Sequence, residues 1–201
     1  MINFDIQVNE EQLNDIEKKL GNLKSKAPIV LVRAINRAAA KARTETKREV
    51  ANKYYISQEN VLKTIRLTKA STANLSAQLT SKGGPIALSK FKVSPDRGVK
   101  WTGKKGKKKI SPSVYKAGVE KSGGMKPLSG SPKAFIAGFS SGHSGVMTRI
   151  SARRLPLKQL YGPAVPSMIK NDEVIERIQK EATETLEKRI DAEINNILQR
   201  G

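Results

Sequence analysis

The sequence predicts an α+β fold: N-terminal helices, a central, mostly antiparallel β-sheet with long basic loops, and a long C-terminal helix. Three observations predict it. Apolar residues recur at helical spacing up to about residue 52 and again over 175–197, whereas between about 64 and 155 they alternate with polar ones. Stretches rich in Gly, Ser, Pro and Lys interrupt that alternating centre. Charge follows the same division: residues 1–51 carry ten Lys/Arg against seven Asp/Glu, residues 52–171 twenty-three against three, and residues 172–201 five against eight. The centre therefore carries +20 between two nearly neutral ends.

Taken in order, Phe4, Ile6 and Val8 alternate as a short strand does. Asn9-Glu10-Glu11-Gln12 reads as a helix start: Asn9 caps, Gln12 reaches back, and the acids favour the positive end of the helix dipole. Leu13, Ile16 and Leu20 follow at helical spacing, and Gly21 supplies a stop. A second helix starts at Pro28, which suits the first helical position, and runs to about Asn52. Leu31, Ile35, Ala38, Ala42 and Val50 make one face of it and Arg33, Arg37, Lys41 and Arg48 another; Ala38 and Ala42 let a neighbour come close. Ser57 caps a short helical turn through Val61 and Leu62.

In the centre, Leu75, Ala77 and Leu79 alternate with Ser76, Gln78 and Thr80. Gly83-Gly84-Pro85 makes a turn, after which Ile86 and Leu88 resume, and Tyr115, Ala117 and Val119 form another run. Phe135, Ala137 and Phe139 lead into Gly142-His143-Ser144-Gly145, and Val146, Thr148 and Ile150 lead away, a hairpin signature. Segments 97–109 and 122–132 read as long loops or sheet-edge excursions. Asn171 or Asp172 caps the last helix, with Ile175, Ile178, Ala182, Leu186, Ile190, Ile194 and Ile197 as its stripe. At about 28 residues it spans roughly 42 Å, so it packs across the sheet or against another subunit. The expected organisation is one domain, 1–201: a strand and helices (1–52), a basic β-rich centre (53–155), a proline-rich connector (156–170) and the C-terminal helix (171–201).

Hydrophobic residues make up 37% and aromatics 4%, so the core is thin and self-association is expected to complete the burial. Without cysteine there is no disulfide or thiolate chemistry. The start Met-Ile-Asn-Phe-Asp has neither a basic nor an apolar signal region, and the longest apolar run, 29–32, falls far short of the ~20 residues of a membrane span. A soluble chain made in the cytoplasm, with no membrane partner, is the expectation.

The patterns of catalysis are incomplete. Gly138-Phe139-Ser140-Ser141-Gly142 fits a hydrolase nucleophile elbow, but that motif needs a strand turning into a helix, and here a hairpin pattern follows. Gly98 to Lys105 approaches a phosphate-binding loop, yet Lys105 stands where a hydroxyl must hold magnesium. His143 is the only histidine, and a zinc site built on it would need carboxylates that the centre lacks. Glu10/Glu11, Asp172/Glu173 and Glu181/Glu184 are helix-start or helix-surface acids. The sequence predicts no enzyme, no metal, no cofactor and no small-molecule substrate.

A centre this basic repels itself and implies a polyanionic neighbour. Lys100, Lys104, Lys105, Lys107, Lys108 and Lys109 fall within ten residues, with Trp101 among them to stack on a base. The same run also fits a solubilising loop anchored on the core by Trp101. No motif that reads a nucleic-acid sequence accompanies it.

One segment is distinctive: Arg154-Leu155-Pro156-Leu157-Lys158-Gln159-Leu160-Tyr161-Gly162-Pro163-Ala164-Val165-Pro166-Ser167-Met168. It strongly resembles a segment of the minor tail protein Z family of lambda-like tailed phages and prophages, with Ala164 in place of the usual serine. Ala34-Ile35-Asn36-Arg37-Ala38-Ala39 resembles that family's basic second helix. Lys133-Ala134-Phe135-Ile136-Ala137 with Gly142-His143-Ser144-Gly145-Val146 resembles its hairpin. The matches run in order from about 30 to 170.

The resemblance implies a non-enzymatic virion protein at the head-proximal end of a long non-contractile tail. Such a protein completes the tail and helps the genome sit in it, next to tail-tube, terminator and head-connector proteins. It implies a homo-oligomeric ring, six-fold by analogy with its neighbours. Leu155, Pro156, Tyr161, Gly162, Pro163 and Pro166 are then expected to be assembly or structural residues, as a preset arm or a rigid connector, and Ile190 and Ile194 likewise on the last helix. The lysine run stands outside the resemblance; duplex DNA or an acidic protein ring suits it. The rival expectation is a cytoplasmic accessory protein that binds nucleic acid without sequence preference.

Overall fold

A computed structural model describes residues 1–94, 115–128, 133–138 and 144–200. The chain forms two compact units, each made of segments distant in sequence. Unit 1 comprises Met1–Val50, Gln58–Gly83 and Val165–Gly201; unit 2 comprises Ala51–Ser57 and Gly84–Ala164.

Unit 1 is built on strand β1 (Ile2–Gln7), helices α1 (Glu10–Leu20) and α2 (Ala27–Lys53), and the short helix α3 (Gln58–Leu62). Strands β2 (Ile65–Thr68) and β3 (Ser76–Ser81) follow, and α4 (Val165–Ile169) and α5 (Asp172–Arg200) close it. The capping box forms as the sequence predicts: Gln12 N donates to Asn9 Oδ1 at 2.8 Å and Asn9 N to Gln12 Oε1 at 3.2 Å. Gly21 takes a positive φ of 54°, and its N–H closes α1 on the Glu17 and Lys18 carbonyls. The chain then turns through a 3-10 segment, Gly21–Lys26, straight into α2.

The sheet has the order β1-β3-β2, antiparallel throughout, with Ile2 opposite Ser81 and Ile65 opposite Ser81 on the other side. Alternation places Ala77, Leu79 and Ser81 of β3 inward, as the period-2 pattern predicts. Buried Ser81 finds its partner in Thr64, with the two hydroxyls 3.1 Å apart. Ala34, Ala38 and Ala42 are fully buried on α2, so its backbone lies close to its neighbours. A small apolar cavity of ≈ 20 Å³ marks the core between sheet and helices, lined by Phe4, Ile65 and Leu79 from the strands and by Thr46 and Ile178 from the helices.

Helix α5 runs antiparallel to α2. Arg33 pairs with Glu193 at 3.2 Å, Lys41 with Glu181 at 3.3 Å, and Glu49 with Arg177 at 3.1 Å, so rising numbers on one helix meet falling numbers on the other. Lys41 also reaches the buried Glu45 at 2.8 Å. Glu45 first, and Glu181 after it, hold the Lys41 ammonium above its ordinary value of 10.5. That contribution to stability is therefore complete below 10.5 and is lost only as pH rises through the raised value in the fold.

Asn36, a polar residue within the buried stretch of α2, pins the loop between β2 and β3. Its Nδ2 donates to the Ala70 carbonyl at 3.0 Å, and its Oδ1 accepts from Ala70 N at 2.9 Å. Asn36→Leu strands both backbone groups of a residue that is 6% exposed. The expected cost is about 1–3 kcal/mol, read as a lower urea midpoint. Asn36→Asp keeps the acceptor and loses the donor, so its midpoint should fall between the two.

Among the described residues, unit 2 is antiparallel β-structure, as the sequence predicts for the centre, arranged as three small sheets. Strands β4 (Ile86–Ala87), β5 (Lys92–Ser94), β6 (Lys116–Gly118) and β7 (Lys126–Pro127) are followed by β8 (Phe135–Gly138), β9 (Ser144–Arg149), β10 (Leu157–Gln159) and β11 (Tyr161–Gly162). They pair as β5-β6-β7, β10-β9-β8 and β11-β4. The β8–β9 hairpin flanks are present, with Gly138 opposite Ser144 and Ile136 opposite Val146. The inward pair is Ile136 with Val146; Phe135 and Ala137 are half-buried, and Arg149 lies over the Phe135 ring at 5.1 Å.

Candidate functional site

Charge divides between the two units. Unit 2 holds eighteen of the thirty-eight Lys/Arg but only two of the eighteen Asp/Glu, a net +16; unit 1 holds the other twenty and sixteen, a net +4. In unit 1 several charges pair across helices: Lys19 with Asp191, Arg33 with Glu193, Lys41 with Glu181 and Arg177 with Glu49. Among the described residues of unit 2 there are eleven Lys/Arg and a single acid, Glu120, which faces Lys53 at 3.8 Å. Self-repulsion in so lopsided a unit favours a bound polyanion.

Lys100, Trp101, Lys104, Lys105, Lys107, Lys108 and Lys109 lie outside the described residues, as do Ser140 and His143. The flanks of the Gly138-to-Gly142 stretch do bear on its chemistry: β8 precedes it and β9 follows, paired antiparallel. A nucleophile elbow needs a helix after the serine, so this is not one. Among the described residues no helix is long and apolar enough to cross a membrane.

The connector is stitched into unit 2 strand by strand. The Leu155–Pro156 bond is cis. Leu157 pairs with Arg149 and Gln159 with Met147, so β10 extends the β8–β9 sheet. Leu160 N then donates to Val146 O at 2.8 Å, while Leu160 O accepts from Leu88 N at 2.9 Å, which ties the connector to a second sheet. In that sheet Tyr161 lies opposite Ala87 and Gly162 opposite Ile86. Pro163 ends the strand, and Pro166 is buried in the first turn of α4. Leu157–Gln159 and Tyr161–Gly162 are thus paired within unit 2.

Gly162 is required by space. Its backbone belongs to an extended strand, and the positive-φ glycines among the described residues are Gly21 and Gly124. A Cβ at position 162 would lie 2.6 Å from Phe91 Cε2 and 3.1 Å from Cζ, so the buried Phe91 ring occupies the volume of the missing side chain. The faces left to solvent are apolar in places: Ile150 is 62% exposed, Leu155 65% and Tyr161 56%. Ile190 and Ile194, by contrast, are buried by the chain itself, at 8% and 4%.

The family model of prophage minor tail protein Z matches residues 11–200 of this chain. The chain belongs to that family. Membership in the minor tail protein Z family gives it a structural role in the phage tail, among other virion components. No match was found among curated proteins or among solved structures.

Proposed function

We propose that this tail protein completes the head-proximal end of the tail, at the joint with the head, and helps position the genome there. It does so as a homo-oligomeric ring of six copies, with unit 2 turned toward DNA or toward an acidic ring above or below. The observation that carries the reading is the segregation of charge: a near-balanced helical unit suits packing against like copies, and a +16 unit suits a polyanion in the channel. The lysine run, with Lys100, Trp101, Lys104, Lys105, Lys107, Lys108 and Lys109, supplies six of that unit's positive charges.

The test is location and mass. Antibody against this chain should label particles at the head–tail joint. Size-exclusion with light scattering should give six times the 22.0 kDa chain. Tails assembled without the protein should fail to deliver the genome. A salt-sensitive monomer found on DNA in the cytoplasm and missing from particles would instead establish the accessory-protein reading.

A further inference from the structure

One cleft in unit 2 gathers lysines around an aromatic ring. The segment after α2 is hooked to the end of β6: Tyr55 N donates to Val119 O at 2.8 Å and Lys121 N to Lys53 O at 2.9 Å, framing a bridge between Tyr54 and Glu120. This hook brings the Tyr55 ring against the sheet at Gly118. A Cβ there would lie 3.1 Å from both Cδ2 and Cε2 of Tyr55, so the glycine makes the seat. Lys92, directly opposite Gly118 in the register, projects from the same face. Its Nζ is 5.0 Å from the Tyr55 ring centroid, and Lys121 Nζ is 6.0 Å from it. Lys90 completes the rim of an open cleft of ≈ 470 Å³ whose floor includes Ile56 and buried Phe91.

We propose that this cleft grips backbone phosphates of duplex DNA, a claim that rests on the reading that unit 2 faces DNA. The attraction of the ring quadrupole for ammonium groups offsets part of the repulsion between Lys92 and Lys121. Among the described residues neither they nor Lys90 pairs with a carboxylate, so the charge is available to a ligand. With ammoniums drawn to Tyr55, the ring serves as their anchor and not as a platform for a base, which makes the contact indifferent to sequence. A continuous polyanion fits better than a single acidic side chain, because the cationic excess runs through the whole unit. Duplex DNA offers a charge about every 1.7 Å of its axis.

The test is fluorescence anisotropy of the full chain on a labelled duplex over a sodium chloride series, with poly-glutamate as competitor. Lys92→Gln with Lys121→Gln should keep the wild-type melting curve, since both side chains are exposed. It should flatten the log–log salt slope by about 0.9 for each lost phosphate contact. Tyr55→Leu, which keeps bulk over Gly118 and removes the quadrupole, should weaken binding to a smaller extent with the slope nearly kept. If wild type binds the duplex and the double variant keeps its slope, while Gln at Lys104, Lys105, Lys107, Lys108 and Lys109 reduces it, the DNA reading stands and the cleft is not the contact. A wild-type chain with no duplex affinity overturns both. Loss of poly-glutamate binding in the double variant, with DNA binding intact, overturns the cleft proposal in favour of an acidic protein partner.

Discussion

Ile194→Glu should unfold unit 1. The side chain is 4% exposed, in line with Ile178, Ala182, Leu186, Ile190 and Ile197 on the buried face of α5. Removing a buried aliphatic side chain costs about 2–5 kcal/mol, and a carboxylate left there without a partner adds its own desolvation. Against a typical total of about 5–15 kcal/mol, a loss of about 4 kcal/mol or more leaves little folded protein at 37 °C. Circular dichroism and the soluble yield read this directly. Ile194→Val, which deletes one methylene, should cost about 0.5–1.5 kcal/mol and remain folded. If the Glu variant keeps its denaturation midpoint and only fails to join tails, this face of α5 is an interface between copies.

Gly162→Ala should destabilise unit 2 by about 1–3 kcal/mol, the usual cost of overpacking. Phe91 cannot retreat easily, because its ring is buried and the next residue, Lys92, opens a paired strand. Shortening that ring should relieve the clash: Phe91→Leu alone leaves a void, and together with Gly162→Ala the two changes should cost less than their sum. A double-mutant cycle on the thermal midpoint measures the coupling. Additive effects would mean that the glycine serves something other than the seat for Phe91. Tyr161→Phe, at an exposed residue whose hydroxyl meets Gln159 at a long 3.5 Å, should leave the midpoint within about 0.5 kcal/mol of wild type.

Local features were legible in the sequence and partner choice was not. The capping box at Asn9 and Gln12 depends on four consecutive residues and could be read directly. The stripe of α5 was legible too, because helical spacing alone shows that a face is buried. It does not show by what, and the pairs from Arg33 to Glu193 and Glu49 to Arg177 now identify α2 of the same chain. In β8 every residue of Phe135-Ile136-Ala137 is apolar, so period two could not choose a face; Arg149 over the Phe135 ring occupies the outer one. The division into several sheets rests on pairings such as β1 with β3 and β11 with β4, which join distant strands that alternation cannot match. Two residues left faint signals. Asn36 is an amide within an apolar run, and Tyr54-Tyr55 places two of the four tyrosines directly after a long helix.

The order in which the units are threaded has a consequence for synthesis. Unit 1 needs Met1–Val50, Gln58–Gly83 and Val165–Gly201, so it lacks α4 and α5 until Val165–Arg200 has left the ribosome. Unit 2 has all its segments once Ala164 has emerged. During that interval the face of α2 that α5 covers is open to other chains. At that stage the nascent protein has every segment of the cationic unit and only part of the helical one. Its hazard is premature association on the ribosome, and a stop codon placed after Ala164 would make that state permanent.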